Sequence, residues 1–214
     1  MGFKVSWYIV YGYIITTFKI PGQVFSTAMF IAAGSTAAAF CAWVDRLGES
    51  AGVLEAGVGA GVILLHLDAQ ALLTGPNAAL LQAGVDAARR RGALISIDLG
   101  GADWVHAHGA ARTAQEIADI RPDILFAAED AAGELATPLE GLAATPVHTF
   151  SVDGCSVYGR RLAAPAGSEL DQVALAAAFC VAYSEGAGAV EAAGRAVLVA
   201  ARPPASTVRG LQPA

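Results

Sequence analysis

The sequence predicts an α/β fold, a mostly parallel sheet flanked by helices, and three observations in residues 89–135 predict it. A short β-rich run, Leu94 to Ile97, ends on Asp98 and a Gly-Gly loop. A helical stretch follows near His108 to Ile120. Pro122-Asp123 then introduces a second apolar run, Ile124 to Phe126, before another helix begins. Strand, loop, helix, strand and helix at this spacing make a βαβ unit, which implies parallel strands with covering helices. An acid at the carboxyl end of a parallel strand lies where such sheets bind ligands.

From the start of the chain, residues 5–18, VSWYIVYGYIITTF, are aromatic and β-branched, broken by Gly12 and ended by Lys19-Ile20-Pro21-Gly22. That content predicts strand structure on the sheet. Residues 20–44 carry no charge and are long enough to span a bilayer, so attachment to a membrane through residues 5–44 is one reading. The other is a strand or hairpin followed by a buried helix, since Gly22, Gly34, Ser35 and Thr36 interrupt the apolar run. Arg89 to Arg91 form a basic helix end that Gly92 stops as a C-cap. Asp153-Gly154 suits a type I′ hairpin turn. Ser168-Glu169-Leu170-Asp171 reads as a helix N-terminus with Ser168 as cap and Asp171 at N3. Residues 203–214 are expected to form a flexible tail on a single domain spanning residues 1–214.

Hydrophobic residues make up 55% of the 214 and charged residues 15%, an excess carried by alanine on helical periods, which favours packed helices over disorder. The net charge of −6 predicts no basic face for nucleic acid. Cys41, Cys155 and Cys180 are an odd number without C-x-x-C, so buried free thiols in a reducing compartment, the cytoplasm, are expected. The four histidines show no metal-ligand spacing; His106 and His108 are two apart. No P-loop, G-x-S-x-G or H-E-x-x-H is present. Gly57-Val58-Gly59-Ala60-Gly61 lacks the third spaced glycine of a dinucleotide fingerprint.

Several segments together carry a family resemblance. They are GSTAAAFCAWVDRLGE (Gly34 to Glu49), HLDAQALLTGPNAALLQAGVDAARRRGA, the SIDL run ending on Asp98 and Leu99 with Trp104 beyond, RPDILFA, TPVHTFSVDGCSVYGRRLAAP (Thr145 to Pro165), and Leu170 to Ala201. In that order they resemble the PfkB/ribokinase-type carbohydrate kinases over most of residues 34–201. The resemblance implies a three-layer ribokinase-like fold. In it a glycine-rich turn and first helix come early, a nucleotide-side hairpin late, and two helices last. It implies ATP-dependent phosphoryl transfer to a hydroxyl of a sugar or nucleoside, with Mg²⁺. The lid that encloses the sugar is expected to be missing, because Gly59-Ala60-Gly61 runs almost directly into ILLHLDAQALL; loss of a lid would expose an apolar face that a second copy, a homodimer, could cover.

The same resemblance distributes roles. The nucleotide would lie over Ser151, Asp153, Gly154 and Gly159 and the start of the following helix, and the acceptor near Gly34 and Asp98. The family's Gly-Ala-Gly-Asp turn falls on Leu170-Asp171-Gln172-Val173, so Val173 stands where the base aspartate is expected. Asp171, two residues earlier, is either a displaced catalytic base or a helix cap. The family's Asn-x-x-Glu falls on Ala128 to Ala131, leaving Glu129 as a displaced metal candidate or a solvated helix-start acid. The asparagine expected after the glycine-rich turn falls at Ala39. Asp98 is equally a ligand or a strand-end acid capping its loop. Phosphoryl transfer is therefore expected to be weak or absent, and a catalytically silent nucleotide- or partner-binding protein is the alternative.

Overall fold

The computed structural model describes residues 5–10, 13–18, 29–47, 49–53, 62–135 and 137–202. Its centre is an eight-stranded sheet. Six strands are parallel: β3 (Met29–Ala33), β4 (Ser50–Val53), β5 (Val62–Asp68), β6 (Leu94–Asp98), β7 (Ile124–Ala128) and β8 (Thr145–Phe150). Two antiparallel strands, β9 (Gly154–Val157) and β10 (Arg160–Ala163), extend it, giving the order β10-β9-β8-β7-β6-β5-β3-β4. The expected mostly parallel sheet is present. The sheet's central strands are apolar on both sides, as parallel strands covered by helices must be.

Each face has its own helical layer. On one side lie α2 (Ala69–Thr74), α3 (Ala78–Arg90), α4 (Ala102–His108), α5 (Ala110–Ile120) and α6 (Glu129–Glu134). In α3 the buried residues Leu81, Gly84, Val85 and Ala88 make one stripe at helical spacing, leaving the polar face outward. The helix ends as expected at Gly92, which takes φ +73° while its N–H and that of Ala93 reach back to Arg89 and Ala88, a Schellman closure. The helix expected near His108 to Ile120 is α5, and a further helix, α4, precedes it, the two divided at Gly109, whose φ of +98° no helix accommodates.

On the other side lie α1 (Ala37–Arg46), α7 (Gln172–Ser184) and α8 (Ala189–Ala200). Ala174 to Ala182 are all buried, so α7 is apolar all round and sits in the core between its neighbours. Its alanines let adjacent backbones approach closely. Between the two layers, β5 and β6 place His66 and Ser96 inside this core. The His66 ring stacks on Phe40 at 4.1 Å and its Nδ1 lies 3.0 Å from Ser96 Oγ, to which the Cys180 thiol donates at 3.6 Å. Burial holds His66 down at about pKa 4. All three cysteines are free and buried, as expected.

Three expectations need correction. Residues 5–10 and 13–18 do form strands, β1 (Val5–Val10) and β2 (Tyr13–Phe18), but among the described residues they pair only with each other in a separate two-stranded sheet. The type I′ turn is at Tyr158-Gly159, with φ +50° and +73°, joining β9 to β10. Phe150 pairs with Gly154, so residues 151–153 form a three-residue loop instead of an Asp-Gly turn. Gly154 is required there because a Cβ would collide with the Leu162 carbonyl oxygen. Third, α7 starts at Gln172 with Asp171 as its cap; Ser168 bonds back to the Pro165 carbonyl. Residues 54–61, where the lid section is expected to be missing, and the tail at 203–214 lie outside the described residues. No helix among the described residues is long and apolar enough to cross a membrane.

Candidate functional site

Parallel strands put their carboxyl ends on one edge, and the connections determine where that edge opens. From β3 the chain goes first to β4 on one side and then to β5 on the other. The reversal leaves a crevice beyond β3 and β5, the position at which open α/β sheets receive ligands. Gly34 follows β3 there with φ +120°, a left-handed value that suits glycine, and a Cβ on it would run into the Asp68 side chain. Asp68 ends β5 and caps α2. Its Oδ1 accepts from Ala71 N at 3.1 Å and its Oδ2 from Ser35 Oγ at 2.6 Å. Asp98 ends the neighbouring strand β6, in register with Asp68. Gly34 and Asp98, the two substrate-side candidates, thus share one edge with Asp68 between them.

Asp98 also opens a second feature, a cleft of about 280 Å³ beyond β6, β7 and β8. Phe126, Asp130, Thr149, the Gly100-Gly101 loop and Gln172 of α7 complete its wall. Desolvation raises the Asp98 carboxyl above the ordinary carboxylate range. The Gly100 N–H, 3.0 Å from its Oδ1, opposes this, and the Asp68 charge adds to it. Gln172 Oε1 is shut off from solvent and has no hydrogen-bond partner, the one such side-chain oxygen or nitrogen among the described residues. An orphaned buried acceptor typically costs on the order of 1–3 kcal/mol.

Asp171, at the start of α7, accepts from Ala174 N at 3.0 Å. The cap alternative accounts for its geometry, and one of the helix-start N–H groups that would serve an anion is already engaged. Asp171→Ala is expected to cost about 1 kcal/mol, and up to about 2, measured as a shift in the urea midpoint at constant slope. Val173 is half-buried and packs against the apolar core on the α7 side. Glu129 begins α6 and is exposed, next to the cleft residue Asp130. No group of three or more His, Cys, Asp or Glu among the described residues could hold a metal ion.

The nucleotide-side candidates are not all brought together. Ser151, Asp153 and Gly154 lie at the β8–β9 loop, and Gly159 lies at the opposite end of β9. Asp153 pairs with Arg161 at 2.8 Å, and the Arg161 guanidinium covers the Phe150 ring at 4.8 Å. Of these, Asp153 and Arg161 border a separate, open groove of about 530 Å³ that runs along residues 163–169.

The arrangement of strands and helices is similar to that of solved structures. Adenosine kinase from Sinorhizobium meliloti superposes with a TM-score of 0.55 at 18% identity, over 65% of this chain and 48% of that one. The fold is ribokinase-like. Two further ribokinase-like structures agree. Adenosine kinase from Trypanosoma brucei brucei gives a TM-score of 0.50 at 16% identity, over 65% of this chain and 51% of its own. Aminoimidazole riboside kinase from Salmonella enterica, solved with aminoimidazole riboside and an ATP analogue, gives 0.50 at 15%, over 64% and 55%. The chain therefore spans about half the length of the ribokinase-like structures it matches. No protein-family model matches the sequence, and no curated protein does.

Asp68, Thr149 and Gln172 are not among the site residues that the sequence predicts. Asp68 had a usable signal, since the HLDAQALL run repeats the logic of SIDLGG: an apolar strand, an acid, then a helix or loop start.

Proposed function

We propose that the chain is a ribokinase-type nucleoside or sugar kinase relative that binds a small hydroxyl-bearing ligand at the carboxyl edge of its sheet and transfers phosphate weakly or not at all. The observation that carries this reading is the cleft at the ends of β6–β8, closed by the first turn of α7. ATP with Mg²⁺ is the cofactor pair of this reading. Mg²⁺ is usually held by one or two carboxylates together with substrate phosphates, and Asp130 with Glu129 beside it suits that arrangement. The start of α7 does not suit a bare phosphate: Gln172 stands where a glycine would let the backbone approach, and Asp171 engages an N–H itself. The nucleotide belongs to the hairpin around Ser151, Asp153 and Gly154, with Gly159 beyond it.

The base position favours the silent form of this reading. Val173 cannot accept a proton, and its side chain packs toward the core. A positioned general base typically contributes ~10²- to 10⁴-fold, so transfer is expected to fall below ordinary kinase rates by at least that factor. Calorimetry with ATP and Mg²⁺, beside a phosphate-transfer assay over sugars and nucleosides, tests this. Binding with negligible turnover, unchanged in Val173→Asp, is the expected result. Turnover at ordinary rates that Asp171→Asn abolishes would instead make Asp171 the base.

A further inference from the structure

We infer that the outer face of α3 and α5 is a self-complementary interface through which two copies of this chain pair about a two-fold axis. This face lies across the sheet from α7, and the inference does not depend on the kinase-relative reading. α3 leads into β6 and α5 into β7, so both helices end at the amino edge of the sheet, away from the cleft. Those ends carry Arg89, Arg90, Arg91 and Arg121, all exposed. The Arg89 guanidinium donates to the Arg121 carbonyl oxygen at 3.2 Å, which ties the two ends together. Immediately behind this basic end, Asp86 of α3 and Asp119 of α5 line a groove of about 410 Å³ between the helices. Glu116, a further acid of the groove, is already held by His108 and Arg112. Among the described residues, no ion pair includes any of the four arginines, Asp86 or Asp119.

Unpaired opposite charges thus lie side by side on one face. A two-fold axis through the boundary between them lays the basic end of each copy over the acidic pair of the other, the geometry of an isologous interface. A second copy is the occupant whose charge answers both halves. An acidic partner would satisfy the arginines and meet repulsion from the carboxylates. The rest of α3 suits the same occupant. Leu80 is 41% exposed, and Ala83 and Ala87 follow it at helical spacing, small enough to let a facing helix approach closely. Exposed ion pairs contribute little singly, so the pairing is weak, held in register by charge and sensitive to salt.

Sedimentation equilibrium of the full chain near neutral pH tests the inference, with two charge-reversed variants beside the wild type. One carries Arg90→Glu and Arg121→Glu, the other Asp86→Arg and Asp119→Arg. The wild type is expected to show a monomer–dimer equilibrium that weakens as salt is raised. Each variant alone sets like charges opposite one another and is expected to dimerise at least about tenfold more weakly. Mixed in equal amounts, the two variants are expected to recover dimers, because every facing pair is again of opposite sign. That recovery also shows that both variants fold. A wild type that stays monomeric, a dimer that survives both reversals, or a mixture no better than its components would overturn the inference. Assembly beyond the dimer would overturn it too, since an isologous contact closes at two copies.

Discussion

Phe179→Ala is expected to remove about 3–5 kcal/mol of stability, a large part of the ~5–15 kcal/mol that holds a typical native protein together. Phe179 is fully buried in the middle of α7, edge-on to Phe126 of β7 at 5.5 Å and stacked on Tyr183 at 5.7 Å. Its neighbours along α7 include Ala176, Ala177, Ala178 and Ala182, which have no rotamers with which to fill a void. The cavity therefore persists, and its cost adds to the lost transfer energy. Urea denaturation measures the effect. A loss under about 1 kcal/mol would show that α7 is not seated against the sheet as described. The same substitution loosens the helix that carries Gln172, so ligand binding at the cleft should weaken with it.

Acid is expected to destabilise the protein through His66 by about 3 kcal/mol between pH 6.5 and pH 4. The unfolded histidine takes its proton as pH falls through about 6.5, whereas burial holds the folded one to about 4. In that window the unfolded chain binds more protons, so stability falls as pH falls. The ~2.5 units between the two values, at 1.36 kcal/mol per unit, give the figure. His66→Phe keeps a ring against Phe40 and removes the titration. Urea midpoints at pH 7, 6, 5 and 4 should therefore diverge between wild type and variant, with the wild type falling more steeply. Parallel curves would sink the assignment, because carboxylates that titrate in both proteins cancel in the comparison.

The middle of the chain was legible because its signals are local. Gly92 stops α3, an apolar run ends on Asp98, and Pro122-Asp123 restarts a strand, all within one βαβ unit. The start of α7 differs from the expected one because two start signals compete in Ser168 to Asp171. What decides between them is remote: Glu169 and Leu170 pair with Arg202 and Ala201, which keeps them extended and delays the helix to Gln172. The hairpin departs from the expected turn for the same reason. Leu170 N bonds Ser151 O, and the Leu162 carbonyl packs where a Cβ of Gly154 would be, so contacts distant in sequence select a three-residue loop. Strand content in residues 5–18 was readable from β-branched residues, but which sheet a hairpin joins is not a property of the hairpin. The cleft was half legible. Asp98 stands out in the sequence, whereas Gln172 acquires meaning only once the helix start is known.

The three buried thiols give the molecule a built-in clock. Desolvation lifts Cys41 to about 12, Cys155 to about 11 and Cys180 to about 12, so at neutral pH almost none is the reactive thiolate while the chain is folded. Cys41 reports from α1, Cys155 from the antiparallel strands and Cys180 from α7. Modification by an alkylating reagent thus waits on opening of the fold, and mass spectrometry of the three tryptic or peptic fragments times each opening separately. Simultaneous labelling would mean the sheet and helices part as one body; early labelling at Cys155 would mean that the antiparallel end frays first.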